Sequence, residues 1–179
     1  HPVAHSFPTR RSSDLFITEK DFSTSGSGLG LQYVRYYNSR SGNNAYQGYG
    51  WSGSFSEKLT IGSDQILLRE ADGKQVDFVS ENGVYKSETG RVQTIEAVIG
   101  GYKLTEPDGR KLQFDTTGRL ILIRDRNGNT QAVGYNGTQL SYVEDNFGKR
   151  IDFGYDANGK LKTIRSEERR VGKECATGC

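Results

Sequence analysis

The sequence predicts an all-β fold made of consecutive antiparallel β-hairpins that form a curved, open sheet. Apolar residues alternate with period two through most of the chain, which is the spacing of half-buried strands. Glycine is abundant (23 residues), the chain holds 10 Tyr and 8 Phe, and Met is absent. This composition favours strands and turns over helices, and no segment has a helical pattern.

The chain divides into a first part, residues 21–61, and a series of regular hairpins. The Gly/Ser-rich stretch 23–30 predicts an irregular entry, and the alternating aromatic and polar residues that follow predict a strand. Residues 38–48 are rich in turn formers and lead to the only Trp. The predicted strands cover residues 31–38, 54–61, 65–70, 74–80, 92–97, 101–106, 110–115, 119–125, 129–135, 139–144, 149–155 and 160–164.

Short turn signals separate these strands. Six Asp-Gly or Asn-Gly pairs can supply the positive φ that tight hairpin turns need. They are Asp72-Gly73, Asn82-Gly83, Asp108-Gly109, Asn127-Gly128, Asn136-Gly137 and Asn158-Gly159. In four places a large apolar residue follows a turn glycine by five positions, which predicts a core residue at a fixed point of each strand: Phe78, Phe114, Val133 and Phe153.

Three related segments recur near the C-terminal end. Phe114-Asp115, Tyr135-Asn136 and Tyr155-Asp156 each lead through a glycine to a leucine, and the leucines at 120, 140 and 161 are 20 and 21 residues apart. A repeat of this length is one supersecondary unit that must stack on its neighbours to bury its apolar face. The repeat therefore favours a structural or binding surface over an enzyme.

The two ends of the chain resemble translated sequencing adaptor. One DNA strand can encode residues 5–15, and its reverse complement can encode residues 165–175. We interpret residues 1–15 and 165–179 as a non-native, unpacked head and tail, and 16–164 as native sequence truncated at both ends. Both histidines (His1, His5) and both cysteines (Cys175, Cys179) lie in these ends, as does the net charge of +2.

The native part is therefore close to neutral, which gives no electrostatic footprint for nucleic acid. It has no run of about 18 apolar residues, so no membrane span is predicted. Without Cys it has no disulfide framework or thiolate metal site, and without His it has no base for a Ser-His-Asp arrangement.

Four segments have partial likeness to functional motifs, and each is better explained as a turn or loop. They are Gly50–Gly53 (nucleophile elbow), Asp115–Gly118 (aspartic-protease loop), Gly26–Gly30 (phosphate cradle) and Asp125–Asn129 (calcium loop). We predict no catalytic, cofactor-binding or metal-binding residue.

A cluster of aromatic residues leaves two interpretations open. Their faces could stack on sugars, although such residues more often fill a core or bridge two sheet layers. The cluster consists of Tyr33, Tyr36, Tyr37, Tyr46, Tyr49 and Trp51.

These motifs carry a family resemblance that spans roughly residues 21–164. Tyr155–Leu161 resembles the YD repeat of Rhs-type proteins, and Leu120–Thr130 is similar to the strand-and-turn half of that repeat. Residues 33–51 resemble the module that precedes the repeats in many Rhs proteins. The chain departs from the pattern at Phe114 and Asn136, and the unit at 135–140 is one residue shorter than its neighbours.

The resemblance implies a pre-repeat module over 16–62, its hairpin continuation over 63–115 and YD repeats over 116–164. It implies a fragment of a larger β-shell that encloses a C-terminal effector, often a toxin used in bacterial competition. We thus expect a structural, non-enzymatic part of a secreted or cell-surface bacterial protein without a cofactor. The expected partner is the downstream effector domain, and secretion machinery and carbohydrate are further candidates. A cell-surface adhesin or carbohydrate-binding repeat protein is the alternative.

The period-two register also predicts which residues share a face. One continuous apolar face is expected, with too few partners in this chain to cover it, and Arg150, Asp152 and Lys162 are expected on the other face. With both sheet edges open, we expect residues 16–164 alone to associate or aggregate. The predicted apolar face consists of Leu120, Leu122, Val133, Tyr135, Leu140, Tyr142, Ile151, Phe153, Tyr155 and Leu161.

Overall fold

The structure, a computed structural model, describes residues 15–24, 28–41, 44–87, 90 and 92–167. These residues form strands, turns and loops, and no helix occurs among them. The strands are β1 (Phe16–Ser23), β2 (Gln32–Asn38), β3 (Asn44–Ala45), β4 (Gly48–Tyr49), β5 (Trp51–Gly53), β6 (Lys58–Ile61), β7 (Gln65–Arg69), β8 (Gln75–Glu81), β9 (Val84–Ser87), β10 (Thr94–Val98), β11 (Gly101–Thr105), β12 (Lys111–Asp115), β13 (Leu120–Arg124), β14 (Thr130–Asn136), β15 (Gln139–Asp145), β16 (Arg150–Tyr155) and β17 (Leu161–Glu167).

The strands form two principal sheets. The small sheet has three strands in the order β1-β2-β5, and the large sheet has twelve, β6 to β17, each paired with its neighbours in the chain. Strands β3 and β4 form a short hairpin of their own, and every pairing is antiparallel. The predicted all-β class and the open sheet of consecutive hairpins are confirmed. The large sheet runs without interruption through the module boundaries predicted at 62 and 115, and the division into modules stays a prediction.

The predicted strands match the observed ones with three differences. Strands β1, β3, β4, β5 and β9 were not predicted, and residues 54–57 form a turn and a connection rather than the start of a strand. The last strand continues through Arg165–Glu167, which pair with residues 150–152, so this first part of the predicted tail belongs to the large sheet. Pairing continues there because backbone ladders accept almost any side chain. Residues 1–14 and 168–179 lie outside the described part of the chain.

One five-residue turn joins six of the hairpins in the large sheet. In each copy the glycine N–H donates to the carbonyl of the first residue, and the first residue's N–H bonds the carbonyl of the fifth. All six glycines of the predicted Asp-Gly and Asn-Gly pairs have positive φ, between 60° and 87°. The four residues predicted five positions after a turn glycine are buried, with 0 to 8% exposure. The six copies span residues 70–74, 106–110, 115–119, 125–129, 145–149 and 156–160.

A β-bulge begins each repeat strand and corrects the predicted face. Ile121, Ser141 and Lys162 are skipped in the ladders, so the core residue that follows the leucine stands three positions on instead of two. The core pairs are Leu120 with Ile123, Leu140 with Val143, and Leu161 with Ile164.

The predictions for Leu122 and Tyr142 are therefore wrong, whereas the other eight predicted residues belong to the core. Leu122 lies opposite the exposed Gln113 and Ala132. Tyr142 lies on the outer face, where the guanidinium carbon of Arg150 is 3.9 Å from its ring centroid. Asp152 faces Tyr142 there, and Lys162 is exposed, as predicted.

The expectation that this apolar face lacks a cover within the chain is also wrong. The small sheet and its flanking loops pack on it, and both sheets share one core in which Leu31, Tyr33 and Phe55 are buried. The Tyr33 ring meets Phe153 edge to face, with centroids 5.2 Å apart. The amide of Gln131 donates to the Gly30 carbonyl at 2.8 Å, which ties the loop before β2 to the repeat sheet.

The large sheet curls until its first strand meets one of its own turns. The Leu59 N–H donates to the Gly118 carbonyl at 2.8 Å, and Lys58 forms a single bridge with Arg119. The outer edge of β6 is thus partly covered by the β12–β13 turn.

Candidate functional site

The aspartates of the repeat signature are committed to the turns. In each of four turns the Oδ1 atom of the first residue accepts hydrogen bonds from the backbone N–H groups two and four positions later, at 2.8 to 3.0 Å. These bonds close a turn whose donors would otherwise need water. The four residues are Asp115, Asp125, Asp145 and Asp156.

The two turns that begin with Glu use a different carboxylate for the same purpose. In these turns, which begin at Glu70 and Glu106, an aspartate at the third position accepts the N–H of the fifth. The distances are 3.0 Å from Lys74 to Asp72 and 2.9 Å from Arg110 to Asp108. The Asp-Gly pairs of the sequence therefore act as turn caps as well as positive-φ sites.

The signature tyrosines join one repeat to the one before it. The Tyr135 hydroxyl donates to the Leu120 carbonyl at 2.9 Å, and the Tyr155 hydroxyl donates to the Leu140 carbonyl at 2.6 Å. At both places the strand ladder stops short: β13–β14 and β15–β16 pair over three residues, against six in β14–β15. Each hydroxyl thus satisfies a carbonyl that lies beyond the end of a ladder. Burial raises the pKa of Tyr135 to about 12, and burial also raises the pKa of Tyr155.

Arg119 connects three parts of the repeat region. Its Nε donates to Asp115 Oδ2 at 2.8 Å, and its Nη1 donates to the Gly137 carbonyl at 2.9 Å in the next repeat turn. Its guanidinium carbon lies 5.1 Å from the Tyr135 ring centroid. The Gly-Arg-Leu element is therefore structural here.

The described parts of the motif-like segments lie in turns, in a loop and, for Gly50–Gly53, in a turn residue followed by β5. Ser52 is buried, with 3% exposure, in the last strand of the small sheet. The carboxylate of Asp125 accepts Asn127 N–H and Asn129 N–H, and its other oxygen accepts the Asn129 side-chain amide. Of the Gly26–Gly30 segment, residues 26 and 27 lie outside the described residues.

The aromatic cluster divides between the core and the outside of the small sheet. Tyr33 is buried, and Tyr46 packs edge to face on Tyr155 with centroids 5.7 Å apart. The ring centroids of Trp51 and Tyr37 are 5.3 Å apart, and the Arg35 guanidinium carbon lies 5.0 Å from the Trp51 ring centroid. The six aromatic residues therefore do not share one surface.

The residue with the most unusual environment is Glu57, in the connection between β5 and β6. This connection is the covalent link between the small and the large sheet. The residue as a whole is half-buried, but its Oε2 atom is inaccessible to solvent and makes no hydrogen bond. Burial raises the pKa of Glu57 to about 7; its own backbone N–H and Arg110 oppose the rise, and Glu106 and Glu70 add to it.

Three cavities meet at Glu57. The largest, about 470 Å³, lies between the connection and the repeat turns and is also lined by Lys58, Arg119 and Lys160. Two smaller cavities, about 210 and 220 Å³, lie between the small sheet and the turns of the large sheet, and Tyr36 and Arg110 line both. The junction between the sheets is thus hollow, and charged and polar side chains form part of its lining. The sequence offered no signal for it, because Glu57 stands in an ordinary Ser-Glu-Lys connection and its burial arises only when the two sheets meet.

Fold and junction together define an all-β protein in which a small sheet covers the inner face of a hairpin-repeat sheet. The sequence model of one family, described as "Domain of unknown function (DUF6531)", matches residues 14–78, which hold the small sheet and the first strands of the large one. A comparison with curated proteins found no match to the chain. In the part of the chain that the structure describes, no three His, Cys, Asp or Glu side chains converge as a metal site would require. The same residues contain no helix of a length and apolarity that could cross a membrane.

Proposed function

We propose that this chain is a structural, non-enzymatic part of an Rhs-type repeat shell, in which the small sheet starts the array and covers its inner face. The observation that carries the proposal is the use of the repeat signature. Its aspartates close turns, its tyrosines join consecutive repeats and Arg119 links two turns, so these side chains are engaged in building the sheet.

The position of the family match agrees with a small sheet that covers the array and hairpins that form it. It covers the small sheet and continues into β8, so the matched unit includes the connection that carries Glu57. A unit that joins a covering sheet to the first hairpins of an array is suited to starting that array, since terminal repeats need a partner for their apolar face.

In the complete protein, we propose that the shell encloses a C-terminal effector used in bacterial competition and that the protein is secreted or displayed at the cell surface. This step rests on the resemblance of residues 21–164 to Rhs proteins. The hairpin geometry supports it, because each added repeat extends the same curved wall.

The sequence of the complete gene tests this proposal first. A long array of further repeats that ends in an unrelated C-terminal domain would support it, whereas a cell-wall anchor would favour the adhesin alternative. The second step is protease treatment of the complete protein. We expect the C-terminal domain to resist digestion until the shell is unfolded, and immediate digestion in the folded protein would contradict enclosure.

A further inference from the structure

Glu57 is placed where a change of charge would act on both sheets. It lies in the only covalent link between the small sheet and the large sheet, and its Oε2 atom is buried without a hydrogen-bond partner. A carboxylate buried in this way is unfavourable unless it is paired or neutral. The neutral acid is the form that suits this position.

The groups around Glu57 do not supply a dedicated partner. Arg110 is the cation whose charge favours the ionised form of Glu57, but its Nε already donates to Glu106 Oε2. Glu70 and Glu106 disfavour a further negative charge at this point. The ionisable groups that share its cavities come from β2 (Tyr36), the β3–β4 turn (Tyr46), β6 (Lys58), the β7–β8 region (Arg69, Glu70, Asp72), the β11–β12 turn (Glu106, Arg110), the β12–β13 turn (Arg119), β14 (Tyr135) and the β16–β17 turn (Lys160).

The three cavities give water a route to this carboxyl group. Volumes of about 210 to 470 Å³ are large enough for several water molecules, and their polar linings can hydrogen-bond them. Hydration of an ionised Glu57 would therefore require only that the existing gaps between the sheets widen.

We propose that Glu57 is a proton-operated latch between the two sheets. In its neutral form it lets the connection pack into the junction, and in its ionised form it draws water into the cavities and loosens the small sheet from the large one. Acidic conditions thus hold the cover closed, and alkaline conditions release it. The inference concerns this chain alone and does not depend on the shell function.

The sign and size of the effect follow from proton linkage. In the opened state Glu57 is hydrated and has its ordinary pKa of 4.5, whereas in the closed state its pKa is about 7. The closed state therefore binds the proton more tightly, and its advantage is lost as the pH rises through 7. For these two values the opening equilibrium constant rises about thirtyfold between about pH 5.5 and about pH 8.5.

Hydrogen exchange of the full 179-residue chain tests the latch. The amides of Val34 and Ser54, which bond the Ser54 hydroxyl and the Val34 carbonyl, report on the small sheet. After correction for intrinsic exchange, we expect their protection to fall about thirtyfold from about pH 5.5 to about pH 8.5. Amides of Val143 and Ile151, which pair with each other between β15 and β16 of the large sheet, are expected to change by less than about threefold.

Glu57→Gln, which stays neutral, is expected to keep the small sheet protected at both pH values. Glu96→Gln is the matched control, because Glu96 is a surface residue paired with Lys103, and it should respond as the wild type does. His1→Gln/His5→Gln removes both histidines of the chain and should leave the response intact. The proposal is overturned if wild-type protection is independent of pH, a result that needs no variant to fold. It is overturned equally if Glu57→Gln retains the response, if the histidine variant loses it, or if Val143 and Ile151 respond as strongly as Val34.

Discussion

At the scale of single residues, the repeat signature is a set of substitutes for missing backbone hydrogen bonds. A carboxylate oxygen such as that of Asp125 accepts hydrogen bonds from the N–H groups of the turn. The hydroxyl of Tyr135 donates a hydrogen bond to the Leu120 carbonyl, which lies beyond the end of a strand ladder. Most of these turns have the accepting aspartate at the first position, but the turns that begin with Glu have it at the third. Closing the turn therefore requires a carboxylate acceptor more than it requires one fixed position for that acceptor.

The tyrosine bond leads to the first prediction. Tyr135→Phe should lower the free energy of unfolding by about 1 kcal/mol, because the buried Leu120 carbonyl loses its donor. Tyr102→Phe is the matched control, since Tyr102 also packs on the core but its hydroxyl makes no hydrogen bond within the described residues; it should cost less than about 0.5 kcal/mol. Urea unfolding of both variants measures the difference, and equal losses would contradict the role of the hydroxyl.

The turn aspartates predict how stability depends on acid. Burial alone would raise the pKa of Asp115, but hydrogen bonds from Thr117 and Arg119 outweigh it and lower the pKa to about 2. Because the folded-state pKa lies below the ordinary 3.8, the stabilisation is complete above that value and is lost as the pH falls towards 2.

The urea concentration at the unfolding midpoint of the wild type should therefore decrease when the pH is lowered from about 5 to about 2.5. Asp115→Asn should make this decrease smaller. Asp77→Asn, on the exposed face of β8, serves as the control and should keep the wild-type response. If Asp115→Asn lost as much stability with acid as the wild type, the carboxylate would not be the group responsible.

At the scale of elements, the sequence predicted most strands of the large sheet but not the bulges within them. Period-two alternation and turn glycines mark hairpins locally, and both signals are strong from Gln65 onward. A bulge adds one residue to one strand of a pair, so alternation placed Leu122 and Tyr142 on the wrong face. Five strands escaped prediction: β1 is exposed along nearly all its length, β9 has only four residues, and β3, β4 and β5 have only two or three.

The curl of the large sheet leads to a prediction about two glycines in the same turn position. Gly118 and Gly128 both have positive φ, but an added Cβ at Gly118 would lie 2.1 Å from the Leu59 carbonyl oxygen, and one at Gly128 would meet nothing within 4 Å. Gly128→Ala should cost about 1 to 2 kcal/mol from backbone strain, and Gly118→Ala should cost about 2 kcal/mol more. Thermal and urea unfolding give both values. Equal costs would mean that the contact between β6 and the β12–β13 turn is not formed in solution.

The assigned faces of β16 lead to the next prediction. Phe153→Asp would place a carboxylate in the core beside Tyr33 and should cost more than about 4 kcal/mol or prevent folding. Asp152→Ser removes a surface partner of Arg150 and should change stability by less than about 1 kcal/mol. Circular dichroism and urea unfolding compare the two neighbours. If Asp152→Ser were damaging and Phe153→Asp tolerated, the faces assigned to these two residues of β16 would be wrong.

At the scale of the whole molecule, the cover of the repeat sheet is the feature that sequence reasoning could not reach. The aromatic residues of the first part left two interpretations open, and contacts such as the packing of Tyr33 on Phe153 and of Tyr46 on Tyr155 show where that part lies. Glu57 illustrates the same limit, because its burial depends on residues from both sheets and several turns. Local patterns predict hairpins, whereas contacts between distant segments decide what the hairpins enclose.

The two end strands of the large sheet are not equivalent, and this difference leads to the last prediction. The edge of the four-residue β6 is partly covered by Gly118. The seven-residue β17 has one such contact at its start, where the Leu161 N–H donates to the Tyr46 carbonyl, and beyond it pairs only with β16 among the described residues. An unpaired edge can accept another strand, and apolar Val92 and Ile99, with 79% and 107% exposure, add to the surface available for contact.

We therefore expect the chain to associate as its concentration rises from about 1 to about 200 µM, as followed by light scattering after size exclusion. Hydrogen exchange locates the contact: amides of β17 should gain protection with concentration, and those of the interior strand β14 should not. The apolar face of the repeats is already covered by the small sheet, so association through the β17 edge should leave Trp51 fluorescence unchanged. A monomer that melts cooperatively at the highest concentration would show that the β17 edge does not recruit a second strand.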